Sequence, residues 1–531
     1  MIQTLRSLHG ACVAPHHLAA QAGRDVLKDG GNAIEATVAM AAAIAVVYPH
    51  MNSLGGDGFW LIKESGKAPV AIDASGPAVQ AANINFYKSK GFNEIPSRGP
   101  LAALTVAGTV SGWQRALEIS AQSGGGSLPL SRLLSPAAEL ARSGIVVTQS
   151  QAALTAEKLP ELASAPGFSA TYLVDGKAPI EGSVMRQPML ANTLDQLILA
   201  GLDDFYRGEI AQSLARDLAA VESPVSARDL ADYQAQISEP LALTISQGTA
   251  YNLAPPTQGL ASLLILGQFD RLKVTEGESF AHIHGLIEAT KQAFLVRDWV
   301  CFDPARTGVS ARDYLKGEAV DNMTSRIHLD QALPWPNEGD PGDTVWLGCV
   351  DAQGTAVSFI QSVYWEFGSG LTLPGTGLIW QNRGISFSLN PNHRNALQPG
   401  RKPFHTLNPA LIVFNDGRVM PYGTMGGEGQ PQTQAAVFSR YALFNQSLQQ
   451  AVTAPRWLLG RTWGEESTRL KLENRFPSSL IDQLRDAGHD PVVLNTGFHN
   501  QMGHAGALVR HPNGVIEGAA DPRSDGAVAM L

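Results

Sequence analysis

"PGDTVWLGCVDAQGTAVSFIQSVYW", residues 341–365, changes character at one residue. Before Thr344 runs "DQALPWPNEGDPGD" (330–343), acidic, Pro- and Gly-rich and without periodicity, which reads as a linker. From Thr344 onward "TVWLGCVD" and "TAVSFIQSVYW" are β-branched and aromatic runs joined by "AQG", the pattern of a hairpin with a short Gly-containing loop. Between Arg326 and Gly354 the only hydroxyl or thiol side chains are Thr344 and Cys349. Cys349 lies inside the strand and reads as core.

A threonine that opens a strand has an ordinary explanation, because branched side chains favour extended backbone. It also has a chemical one. A threonine hydroxyl is a poor nucleophile until a base takes its proton. If the chain were cut before Thr344, the new α-amino group, with a pKa of roughly 7.7–8.0, would be a base on the same residue. No separate His or Asp partner is then needed. That suits a chain without a G-x-S-x-G elbow, a phosphate-binding G-x-x-x-x-G-K-[ST] loop or an H-E-x-x-H zinc motif.

Outward from this border the texture differs on the two sides. Upstream, "HLAAQAGRDVLKDGGNAIEATVAMAAAIAVV" (17–47) predicts two helices split at Gly30-Gly31, and "SLGGDGFWLIKE" (53–64) a glycine turn entering a strand. Residues 101–300 read as mostly helical. Downstream, β patterns dominate in "GLIWQN" (377–382), "PALIVFNDGRVMPYG" (409–423) and "GALVRHPNGVIEGAAD" (506–521). Helical "QPQTQAAVFSRYALFNQ" (430–446) and "SSLIDQLRDAG" (478–488) lie between them. Strands covered by helices on their outer faces suit this order.

The composition narrows the function. The 531 residues are 44% hydrophobic with a net charge of −9 and no basic cluster, which disfavours nucleic acid and anionic membranes as partners. Cys12, Cys301 and Cys349 have no pair spacing, against a disulfide framework or zinc cluster. The N-terminus has no apolar h-region, and Ala36–Val47 is too short to span a bilayer, so a cytoplasmic location is expected. His284 and Glu288 stand four apart on a helical stretch, but no third ligand is apparent and the pair reads as structural. "GGDG" (55–58) reads as a turn. No metal or cofactor is called for.

Blocks along the chain add a resemblance. "GGNAIEATVAMAAAIAVVYPHMNSLGGDGFWLI", "ALTVAGTVSGW", "TAVSFIQSVYWEFGSG", "RKPFHTLNPALIVF", "GTMGGEGQPQ" and "GAADPRSDG" resemble, in order, those of γ-glutamyltranspeptidases. The resemblance covers almost the whole chain. It implies an α+β fold, the four-layer αββα sandwich of N-terminal-nucleophile hydrolases, and a precursor that cleaves itself. The expected bond is Asp343–Thr344, giving a large chain 1–343 that ends in the linker and a small chain 344–531 that begins with the nucleophile. Together they would form one αββα unit, with a homodimer of the processed unit as a further expectation.

By the same resemblance Gly426 and Gly427 match the paired amides of the oxyanion hole, and Ser362 the hydroxyl that supports the nucleophile. Arg98 resembles the arginine that holds the substrate carboxylate. Elsewhere the pocket departs from the family. Arg383 stands where an uncharged amide is usual, beside Asn382, and Ser386 replaces the acid that holds a substrate ammonium. Tyr364 replaces an asparagine, and His405 and Thr406 replace paired serines. A pocket that exchanges a carboxylate for a guanidinium attracts anions and repels ammonium. The expected substrate is therefore a small carboxylate-bearing amide, as in the family's oxamate-hydrolysing branch, with oxalate and ammonia as products. A γ-glutamyl hydrolase or transferase, a cephalosporin-type acylase and an unprocessed binding protein are the alternatives.

Overall fold

The computed structural model describes residues 3–335, 343–460 and 468–531; residues 336–342 of the expected linker lie outside it. The hairpin predicted from the opening stretch is present. Asp343–Asp351 pairs antiparallel with Ala356–Tyr364, and the two occupy the middle of a seven-stranded sheet. Across that sheet the order is Ala527–Met530, Gly10–Ala14, Asp343–Asp351, Ala356–Tyr364, Asp57–Lys63, Val70–Ala74, Gln236–Ser238. A second seven-stranded sheet runs Leu5–Ser7, Ile516–Ala520, Ala505–Arg510, Val419–Thr424, Ala410–Phe414, Gly248–Asn252, Leu241–Ile245. Neighbouring strands in both are antiparallel.

The inner faces of the sheets meet through Val13, Phe59, Leu61, Trp346, Ile360, Leu411 and Leu508. Trp346 is the wedge. Its indole lies over Gly348, Gly423 and Gly506, where an added Cβ would approach to 2.6, 2.3 and 2.5 Å, and its Nε1 donates to Ser358 Oγ at 2.9 Å. Gly348 on its own strand and Gly423 and Gly506 on facing strands are what lets a tryptophan fit between the sheets.

Helices cover both outer faces, completing the expected αββα sandwich. Over the first sheet lie His17–Lys28, Ala33–Val47, Thr109–Gln122 and Leu130–Ser143, in one continuous core. Ala33–Val47 begins with a capping box, Asn32 with Glu35, and all its residues are buried; its alanines permit close approach on every side. Over the second sheet pack Gly259–Leu272, Phe280–Val300 and Gly429–Phe438.

The region 101–300 is mostly helical, as expected, but Gln236–Ser238, Leu241–Ile245 and Gly248–Asn252 are strands, and Leu5–Ser7 and Gly10–Ala14 add two more near the start. Each large sheet thus draws strands from both sides of Asp343–Thr344. The cysteines, separate in sequence, also meet in part: Cys12 and Cys349 are paired across neighbouring strands, with their Sγ atoms 3.4 Å apart.

Candidate active site

Asp343, expected as the linker's last residue, is already in the strand and pairs with Tyr364. The next matched pair is Val345 with Gln361, so Ser362 and Val363 together face Thr344. This bulge sits opposite the candidate nucleophile, and bulges commonly re-aim side chains beside active sites. Thr344 is fully buried. Ser362 Oγ accepts from Tyr364 N at 2.8 Å, and Tyr364 has φ 85°, an uncommon conformation for a residue with a side chain. A strained residue at the end of a bulge marks a position over-determined by its surroundings.

Tyr364 carries the next group. Arg383 Cζ lies 3.5 Å from the centre of its ring, and the guanidinium is fully buried. Arg383 donates to Thr406 Oγ1 at 3.3 Å and to Phe404 O at 3.5 Å. It sits in a short 3-10 turn, Arg383–Ser386. The Ser386 Oγ donates to the same Phe404 carbonyl at 3.3 Å.

The next residue after Phe404, His405, makes a contact that the sequence did not reveal. Its Nε2 lies 2.9 Å from Asp57 Oδ2, with both side chains buried. Asp57 Oδ1 accepts from Gly76 N, Gly108 N and Gln381 Nε2 at 3.0, 3.2 and 3.0 Å. Burial pushes the Asp57 carboxyl up to about 7, a rise held back by those donors and by Arg383. Burial, with Arg383 and Lys402 nearby, drives His405 well below its usual value, so the imidazole is neutral. Asp57 belongs to the "GGDG" read as a plain turn. It is directly opposite Ser362 in the sheet.

Gly426 and Gly427 lie between the strand Val419–Thr424 and the helix Gly429–Phe438, with φ 111° and 52°. Positive φ is the reason glycine is needed here. Gln258 ties this loop to the pocket: its Nε2 donates to Thr406 O at 2.8 Å and to Gly427 O at 2.7 Å. On the loop's far side Glu428 pairs with the buried Arg297 at 2.8 Å.

Thr344, Ser362, Tyr364, Arg383, His405 and Thr406 are therefore linked through adjacent strands and direct contacts, and Gly426 and Gly427 join through Gln258. The other two expected residues are engaged in supporting the loop after Tyr364. Asn382 accepts from Trp365 N at 3.2 Å and donates to Ser97 O at 2.9 Å. Arg98 donates to Glu366 O and Gly368 O at 2.7 and 2.5 Å, and pairs with Glu161 at 2.9 Å.

A separate cluster was half visible in the sequence. His284 and Glu288 are joined by His489, the third ligand type that spacing could not supply. The two imidazoles are hydrogen-bonded at 2.8 Å, whereas nitrogens sharing a tetrahedral zinc sit about 3.3 Å apart, given bonds of about 2.0 Å. Lys291 lies 2.6 Å from the Glu288 carboxylate, and His284 Nε2 2.8 Å from His328 O. Leu333 N donates to Glu288, and Lys291 donates to Leu333 O. These contacts join the three side chains to Lys291, His328 and Leu333 in one hydrogen-bonded network.

The comparisons with known proteins agree with the fold. The family model for gamma-glutamyltranspeptidase matches residues 19–531. The oxamate amidohydrolase proenzyme of Klebsiella pneumoniae is 56% identical over 523 residues, 98% of each chain. The glutathione hydrolase-like YwrD proenzyme of Bacillus subtilis is 38% identical, again over 98% of each. The crystal structure of cephalosporin acylase from Bacillus halodurans superposes with a TM-score of 0.91 at 32% identity, covering 100% of this chain and 97% of that one. The chain belongs to the gamma-glutamyltranspeptidase family.

Proposed function

We propose that this protein is a self-cleaving amidohydrolase whose Thr344 hydrolyses the amide of a small carboxylate-bearing substrate, oxamate, to oxalate and ammonia. The observation that carries the reading is Arg383: a buried guanidinium stacked on Tyr364, two residues along the strand from Ser362. The planar fork of a guanidinium suits a carboxylate, and it stands where the family's ammonium-binding site would need an acid. The likeness to an oxamate amidohydrolase proenzyme supports the same choice.

In this reading Thr344 Oγ attacks the Asp343 carbonyl. An N-to-O acyl shift follows, and hydrolysis of the ester frees the Thr344 amine. That amine then takes the hydroxyl proton as Oγ attacks the substrate amide. The Gly426 and Gly427 amides receive the developing oxyanion, a contribution worth about 100- to 1,000-fold per donor. Ammonia leaves, and water hydrolyses the oxalyl ester. Arg383 holds the carboxylate, with Tyr364 and Thr406 fixing its plane. The large and small chains stay together as one unit, in the cytoplasm.

The test is ammonia release from oxamate by wild type and by Thr344→Ala. Wild type should turn over, and the variant should remain a single 56.4 kDa chain without activity. A wild type that processes normally but leaves oxamate untouched while cleaving a γ-glutamyl anilide would overturn the substrate assignment.

A further inference from the structure

We propose that Asp57 is a positioning residue that keeps the His405 proton on Nε2, so that His405 Nδ1 presents a lone pair to an N–H of the substrate amide. This rests on the reading above that the Arg383 cluster receives a carboxylate-bearing amide.

The orientation of the carboxyl group is dictated by its donors. Gly76 N, Gly108 N and Gln381 Nε2 all converge on Oδ1, and none of them can accept a hydrogen bond. Oδ2 is thereby left to His405 alone. An ionised Oδ2 only accepts, so the proton between the two groups belongs to Nε2. The histidine cannot turn away. Its N donates to Pro256 O and its O accepts from Gln258 N, both at 2.9 Å, while Phe59 packs edge-on at 4.8 Å between ring centres. Among the described residues, Nδ1 is buried without a partner. A second proton there is opposed by burial and by the nearby charges of Arg383 and Lys402.

A neutral imidazole with one proton placed by Asp57 is an acceptor at its other nitrogen. Beside a guanidinium that binds a carboxylate, an acceptor selects a neighbour that carries N–H. It disfavours an oxygen in the same place, whether an ester's or the carboxylate of the hydrolysed product. Sites built to hydrogen-bond a substrate N–H discriminate strongly against analogues that lack it, because the buried partner is then left unmatched.

Asp57→Asn makes a sharp test. The three donors on Oδ1 require the new side chain to keep its oxygen there, which turns its NH2 toward His405. Nε2 must then accept, and the proton moves to Nδ1. Nitrogen-15 spectra of histidine-labelled, processed protein, recorded well above pH 7 so that Asp57 is ionised, should show His405 protonated at Nε2 in wild type and at Nδ1 in Asp57→Asn, with His405→Gln assigning the signal. The kcat/KM ratio for oxamate over monoethyl oxalate, which has the same carboxylate but no N–H, should fall at least about 100-fold in the variant. A merely structural defect lowers both substrates together and leaves the ratio unchanged, and that result would overturn the proposal. So would a wild-type His405 protonated at Nδ1 above pH 7, which can be read even if the variant fails to fold. If processed wild type hydrolyses neither compound, the substrate reading fails instead, and the tautomer still decides the role of Asp57.

Discussion

Arg383 is wholly buried and stacked on Tyr364, beside Thr406 and Phe404. A guanidinium so placed offers a planar fork that a carboxylate can match. Removing a charge-assisted hydrogen bond costs about 1.5–3 kcal/mol, so Arg383→Ala should raise KM for oxamate about 10- to 100-fold, with a smaller change in kcat. An unchanged KM in steady-state assays would take Arg383 out of the binding site. Asp57 adds a pH dependence. Its carboxyl, raised to about 7, is protonated on the acid side and ionised above it. Activity that depends on its charge therefore grows as pH rises through 7. The acid limb of kcat/KM should carry a group near 7 that disappears in Asp57→Asn, separate from the Thr344 amine that titrates at roughly 7.7–8.0. An identical acid limb in both proteins would show that Asp57 does not control the reaction.

At the scale of the element, the hairpin around Thr344 is held from behind by Trp346. Gly423→Ala would drive a methyl into the indole, whose nearest atom lies 2.3 Å from the ideal Cβ position. Overpacking of this kind costs about 1–3 kcal/mol. Because Trp346 is two residues from Thr344, the expected outcome is a lower midpoint in urea together with slower appearance of the two fragments on a denaturing gel. Unchanged values for both would mean that the wedge does not set the strand. The hairpin itself was legible from the β-branched run and its glycine loop. The strands Leu241–Ile245 and Gly248–Asn252, whose buried and open positions alternate with period two, were not, because a short hairpin between long helices gives too few residues for its period to stand out. Asp57 was not legible. Its role depends on Gly76, Gly108, Gln381 and His405, four partners spread over 330 residues, and no local spacing encodes them. The positive φ of Tyr364 likewise arises from the bulge and has no signature in side-chain type.

Across the whole molecule, interleaving of strands decides what cleavage can do. Both large sheets take strands from residues before and after Thr344, so separating the fragments would tear each sheet apart. The processed chains should co-elute in gel filtration and part only in denaturant; separation in native buffer would contradict the topology. Buried histidines set the response to acid. Desolvation is the largest cause in lowering His16 and His504 to about 4 and His282 and His489 to about 3, from an unfolded value near 6.5. Below pH 6.5 the unfolded chain takes up protons that the folded chain refuses. The stability these neutral rings permit is complete above 6.5 and is lost as pH falls toward their folded values, by about 1.4 kcal/mol per ring per pH unit. Urea midpoints should drop steeply between pH 6.5 and 4.5, and a flat profile would mean that these rings are protonated in the fold.

All of these consequences start from the proposal that cleavage ends one polypeptide at Asp343 and begins another at Thr344. N-terminal sequencing of the purified protein's smaller fragment tests that directly. The first residues should read Thr-Val-Trp-Leu-Gly. An intact chain, or a fragment beginning anywhere else, would contradict the assignment of Thr344 as the nucleophile.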